Sequence, residues 1–193
     1  MPLVAPKSPL RAPRTVKRID KLAMPQANTL VLDCNCWLDL LVFADPSVAA
    51  LEKLLEGNQA DAISCLSMRD ELIRVLNRPS ISKRCNPLAV MLNYDRLARL
   101  HPDPPSQRLQ IACADPDDQM FLDLALTAKA PYLISKDRQL LGLAKTCSTR
   151  FGLHILSQSS VRFQWLCERW VAEGESEIHR PRLAPLGEAT EHD

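Results

Sequence analysis

The chain has 193 residues, of which 46% are apolar, 24% charged and 5% aromatic, with a formal net charge of +1. That supports one buried core plus short tails and excludes a multidomain machine. No stretch approaches the roughly 18 consecutive apolar residues of a membrane helix, and no apolar segment follows the basic N-terminus as in a secretory signal, so the expected location is cytoplasmic.

Residues 1–27 carry six Lys and Arg against Asp20, net +5, interrupted by Pro2, Pro6, Pro9, Pro13 and Pro25. Proline fixes φ and removes an amide donor, so regular structure is disfavoured and a basic, mobile arm is predicted. Its charge could release counterions from nucleic acid or simply stay solvated, and Met24 leaves room for a later translation start. The domain proper is predicted over 28–170. An acidic tail over 171–193 follows, with six acids against Arg180 and Arg182.

Inside the domain, short apolar runs predict strands at Thr29–Asp33, Asp61–Leu66, Pro131–Ser135 and Gly152–Leu156. Helical patterns separate them. The first strand is followed by Cys36–Val42 and Ser47–Glu56, and the second by Ser67–Asn77, Pro87–Leu100 and Pro116–Lys129. Arg138–Lys145 and Ser160–Val171 follow the third and fourth. Asn86-Pro87 supplies an N-cap and a first-turn proline, while Pro102, Pro104 and Pro105 stop any helix after His101. Such alternation builds an α/β fold, a parallel sheet with helices on both faces, whose ligands gather beyond the carboxyl ends of the strands. Neither G-x-G-x-x-G nor a Walker motif is present among the five glycines, so nucleotide-cofactor loops are not supported.

The residues that collect at those strand ends are acids. Asp33 ends the first run, where it can serve chemistry or cap the next helix. Glu71 falls beside Val75 on the apolar stripe Met68, Leu72, Val75, Leu76 and therefore points inward, needing an Arg or a metal as partner. Asp70 points outward, four residues before Arg74, at ion-pair spacing. In Asp115-Pro-Asp-Asp118, Asp115 and Asp117 read as caps, whereas Asp118 enters the buried face beside Phe121, Leu122 and Ala125. Asp123 points to the opposite side. Asp137 follows the third run and also stands where it could cap a helix. Four carboxylates in one cleft would repel one another and raise their pKa values, which a divalent cation relieves. Hard oxygen ligands suit Mg²⁺ or Mn²⁺.

Seven cysteines, an odd number without any C-x-x-C, read as reduced and mostly buried thiols. Cys34-x-Cys36 lacks a second Cys/His pair for zinc, since His101, His154, His179 and His192 are isolated. Trp37, Phe43, Phe121 and Trp165 lie in or beside apolar stripes and are expected in the core, which leaves little support for base stacking.

The ordered set Val-Leu-Asp33-Cys-Asn35, Arg-Asp-Glu71-Leu-Ile, Asp115-Pro-Asp-Asp118-Gln-Met-Phe-Leu-Asp-Leu-Ala125 and Tyr-Leu-Ile-Ser-Lys-Asp137-Arg-Gln-Leu-Leu141 resembles PIN-domain ribonucleases, above all the VapC-like toxins of bacterial toxin–antitoxin pairs. The resemblance implies a PIN-like three-layer sandwich around a parallel sheet of about five strands. It makes Asp33, Glu71, Asp118 and Asp137 the catalytic, metal-binding acids for one or two Mg²⁺ or Mn²⁺ ions; with Gln139 where many members have a further acid, one ion held firmly and a second recruited with substrate is expected. Asn35 would orient Asp33 or a water. The implied activity is hydrolysis of RNA phosphodiesters, and the implied partners are RNA, a protein antitoxin and a second copy of the chain. Two positions depart from the family pattern: Cys34 replaces the usual hydroxyl residue, and Gln139 an additional acid. Lys136 and Arg138 beside Asp137, with Arg78, Lys83 and Arg84 in another loop, are candidates for RNA contact. The alternative is a catalytically weak or inactive PIN-fold module that binds RNA or protein. A phosphatase or phospho-receiver would want acids around Asn35 that this chain lacks.

Overall fold

The computed structural model describes residues 27–104 and 111–178, the last four by backbone alone. The basic arm before residue 27 and the tail beyond Ile178 lie outside the described residues. Strand β1 (Thr29–Leu32) is buried along its whole length. Leu30 and Leu32 face one apolar layer and Val31 the other, so both faces of the sheet are covered and the strand reads as a continuous apolar run. Around it stand β2 (Asp61–Ser64), β3 (Ala98–Leu100), β4 (Tyr132–Ile134) and β5 (His154–Leu156), all parallel, in the order β3-β2-β1-β4-β5. The predicted α/β sandwich is the observed one.

Helices α1 (Cys34–Leu38), α2 (Ala49–Glu56), α5 (Pro87–Leu97) and α9 (Val161–Ile178) bury Trp37, Leu51, Leu54, Tyr94, Phe163 and Trp170 on one face. Helices α6 (Gln119–Thr127), α7 (Arg138–Gly142) and α8 (Ala144–Phe151) cover the other with Phe121, Leu122, Leu140 and Cys147. Helix α3 (Leu66–Leu76) serves both, through Met68 on one side and Leu72 and Leu76 on the other. A short α4 (Pro79–Ser82) follows it. No single helix among the described residues is long and apolar enough to cross a membrane.

Several predicted boundaries move. Residues 98–100, read as the end of a helix, form the edge strand β3: the backbone turns extended at Ala98 and pairs with Ala62–Ser64. The pairing satisfies amides that β2 would otherwise expose, and Arg99 adds an ion pair to Asp61 at 2.5 Å. Pro116–Asp118 form a turn ahead of α6, and the helix predicted over Arg138–Lys145 is two helices, α7 and α8. The first predicted helix is α1 continued by a π-helical turn at Asp39–Phe43. Helix α9 continues through Ile178, beyond the Val171 at which the acidic tail was drawn. Phe121 and Trp37 are core residues, but Phe43 and Trp165 are 41% and 57% exposed. Each lies under an arginine, Arg84 and Arg169 respectively.

Helix α8 ends at Gly152, whose φ of +70° is left-handed. A Cβ added there would meet nothing within 4 Å, so only backbone strain opposes a side chain. Gly152→Ala is therefore expected to cost about 1 kcal/mol, seen as a melting temperature lowered by about 2–4 °C.

Candidate metal centre at the sheet edge

Winding reverses between β1 and β4, because successive strands are added to the left of β1 and later to the right of it. Such a switch point opens a crevice at the carboxyl ends of the two strands. Asp33 and Ser135 are the first residues past those ends. The Asp33 amide donates to the Ile134 carbonyl at 3.1 Å, and the Ser135 hydroxyl donates to Asp33 Oδ2 at 2.5 Å. Ser135 Oγ in turn accepts the Asp137 amide at 2.9 Å. One buried serine thus fixes both aspartates relative to each other.

Both aspartates also cap helices. Asp33 Oδ1 accepts the Cys36 amide at 2.7 Å, and Asp137 Oδ1 accepts the amides of Gln139 at 2.6 Å and Leu140 at 3.2 Å. Each cap uses Oδ1, while Asp33 Oδ2 accepts the Ser135 hydroxyl.

Asp118 stands at the same end of the sheet, in the turn just before α6. Its side chain makes no cap bond to that helix. Burial pushes its carboxyl up to about 6, and the negative charges of Asp137, Asp115 and Asp33 push in the same direction. Asp115 itself accepts the Asp117 amide at 2.9 Å, the turn-capping role expected of it.

Glu71 points inward from α3, with its side chain 17% exposed, but Arg74 lies 2.7 Å from it and Arg78 3.9 Å. The pair expected between Asp70 and Arg74 is replaced by this Glu71 pair, because Arg74 gains more from a half-buried acid than from an exposed one. Cys34 sits between the groups: burial first, then the charges of Glu71, Asp33 and Asp118, pushes its thiol up to about 12. It is a protonated, unreactive thiol at neutral pH. Asn35 is exposed beside Asp33. All seven cysteines are free.

Lys136 directs its ammonium to buried Asp39, which also accepts the side-chain amide of Gln158. Arg138, Lys83, Arg84 and Arg78 are exposed. Asp123, expected on the outer side of its helix, is buried and accepts a 2.7 Å hydrogen bond from Gln119. Ser135 and the Asp39–Lys136–Gln158 network were not anticipated. A serine after a strand or a glutamine in a loop carries no periodic signal that would single it out.

Residues 29–139, more than half of the chain, match the family described as PIN domain. The chain belongs to that family. PIN domains are generally nucleases and typically bind divalent metals. No curated protein matches this PIN domain at a significant level. The matched span includes all four acids singled out above. Their donor chemistry fits a hard divalent cation: every candidate ligand atom is a carboxylate oxygen, and Asp118, pushed up by burial and then by the neighbouring acids, gains from a cation nearby. Among the described residues, no three His, Cys, Asp or Glu side chains stand close enough together to hold an ion as they are.

Proposed function

We propose that this PIN domain is a Mg²⁺- or Mn²⁺-dependent endoribonuclease acting as the toxin of a toxin–antitoxin pair. One observation carries the reading: at a sheet switch point Asp118 is half-buried, and its own burial first, then the negative charges of Asp137, Asp115 and Asp33, raise its proton affinity. Unbalanced negative charge in a crevice serves no packing purpose. It suits a cation and, through it, a phosphodiester.

In this reading Asp33, Asp118 and Asp137 hold the ion, and Glu71 stands beside them on α3, paired with Arg74 and Arg78. A bound divalent ion supplies a Lewis acid for the phosphodiester and a water of lowered pKa. Ser135 ties Asp33 to the backbone of Asp137, and the acids would have to draw closer together to hold the ion. Asn35, exposed beside Asp33, has an amide suited to orienting water. Arg74 and Arg78, beside Glu71, are suited to meeting phosphate. A protein antitoxin and a homodimer belong to the same proposal.

A second reading is favoured by the two arginines that already neutralise Glu71: a module that binds RNA without cutting it. Purified protein incubated with single-stranded RNA decides between them. Cleavage with Mn²⁺ or Mg²⁺ that stops in EDTA is the expected result. RNA that is retained but not cut in either condition would leave the binding module. The toxin role predicts growth arrest on expression in bacteria, relieved by a protein encoded at the adjacent gene.

A further inference from the structure

From Arg138 through Cys167 the chain contains Arg138, Lys145, Arg150 and Arg162 but not one Asp or Glu. In a chain of net charge +1 this is an unbroken cationic stretch, and it begins directly after the last acid of the candidate metal centre. Folding turns it into α7, α8, the edge strand β5 and the start of α9. Between α8, β5 and α9 lies a cavity of about 230 Å³, lined by Lys145, Ser148, Thr149, His154 and Arg162 over an apolar floor from β5. Cations and hydroxyls are the donors a phosphate accepts. Lys145 and Arg162 are exposed, and among the described residues neither meets a carboxylate.

His154 organises the cavity. Its Nδ1 accepts from the Arg162 guanidinium at 3.4 Å and lies 3.3 Å from Ser148 Oγ, while its ring leans on Tyr132 with centroids 5.9 Å apart. Burial and the Arg162 charge lower its pKa, which favours the neutral ring, and the tautomer with the proton on Nε2 lets Nδ1 accept from Arg162. Arg162 is therefore oriented before any ligand arrives.

The volume is below the roughly 300–1,000 Å³ of pockets that enclose a whole small molecule. It suits one charged group of a longer ligand. Two observations choose that ligand. Leu156, on the floor, accepts the Ser135 amide at 3.0 Å, so the cavity begins one strand away from the serine that links Asp33 and Asp137. Trp165 stands three residues after Arg162 on the same helix, 57% exposed, with the Arg169 guanidinium 5.3 Å from its ring. Residues three apart are neighbours on a helix surface, and an exposed indole beside a cavity lined by cations is a platform for a nucleic-acid base, with Arg169 itself paired to Glu173 at 3.3 Å. Free phosphate or an acidic peptide would need the cations but no flat aromatic surface.

We propose that the cavity between α8, β5 and α9 binds a backbone phosphate of single-stranded RNA through Lys145 and Arg162, with a neighbouring base stacked on Trp165. The choice of RNA rests on the ribonuclease reading, but its test needs no cleavage. The full chain in EDTA is titrated with a labelled single-stranded oligoribonucleotide from about 50 to 300 mM KCl, as wild type, Lys145→Gln/Arg162→Gln and Trp165→Leu. The double variant is expected to flatten the plot of log affinity against log salt by about 0.7 for each phosphate that is no longer neutralised. Trp165→Leu is expected to weaken binding roughly 5- to 100-fold at every salt concentration. Trp37 and Trp170 are buried, so RNA should quench the fluorescence of the wild type and leave that of Trp165→Leu unmoved. Unchanged melting temperatures check that the variants fold.

Equal salt slopes in wild type and double variant overturn the proposal, as does RNA that leaves wild-type fluorescence unchanged. A melting temperature raised by inorganic phosphate but not by RNA identifies a free-anion pocket and overturns it too. A wild type that shows both RNA signatures yet cuts nothing in Mn²⁺ ends the ribonuclease reading and leaves the pocket standing. Cleavage with an unaltered slope ends the pocket alone.

Discussion

Asp33→Asn is expected to lower Mn²⁺-dependent RNA cleavage by about 10²–10³-fold, since loss of one charged ligand removes several kcal/mol of transition-state stabilisation. The substitution tests chemistry rather than folding. Asn keeps the shape of Asp and an oxygen to accept the Cys36 amide, which preserves the cap of α1. Its amide can face the Ser135 hydroxyl in place of the carboxylate oxygen. Cleavage assays in Mn²⁺ and in EDTA, with melting curves of both proteins, check it. A variant that folds and cuts like the wild type would show that Asp33 serves only as a cap.

Asp118→Asn is expected to abolish cleavage to a similar extent while raising the melting temperature of the metal-free protein at pH 7.5. The folded carboxyl titrates near 6 and the ordinary value is 3.8. Between those limits the folded state binds more protons than the unfolded one, so stability falls as pH rises through the window and stays low above it. Asparagine carries no charge to lose. Exposure and the favourable α6 dipole reduce the effect, which leaves about 1 kcal/mol, or about 2–4 °C, at pH 7.5. The advantage should vanish near pH 4 and shrink on adding Mn²⁺. Melting curves at both pH values, with and without metal, provide the check. A variant less stable than the wild type at pH 7.5 would contradict the repulsion.

The sheet was legible because β1 is buried on both faces and reads as an uninterrupted apolar run, after which Asp33 stands out. Glu71 was legible from helical periodicity, whereas Asp118 lies in the turn just before α6 and Asp123, read as outward by the same periodicity, is buried. The same method failed for Trp165 and Phe43, since a stripe gives the direction of a side chain and not the width of the layer covering it. It also failed at Ala98–Leu100, where three residues continue a helical pattern and only the open edge of β2 turns them into a strand. Which arginine Glu71 would find, and that Ser135 would bridge two acids, depend on packing between distant segments that no local pattern encodes.

The bonds from Asp33 to Ile134 and Ser135 span about a hundred residues of chain. A ribosome must therefore deliver the chain through Ser135 before the crevice can exist at all. In the proposed reading, a half-made copy emerging beside messenger and ribosomal RNA is harmless to the cell that is translating it, and the enzyme is armed only as its last strands dock.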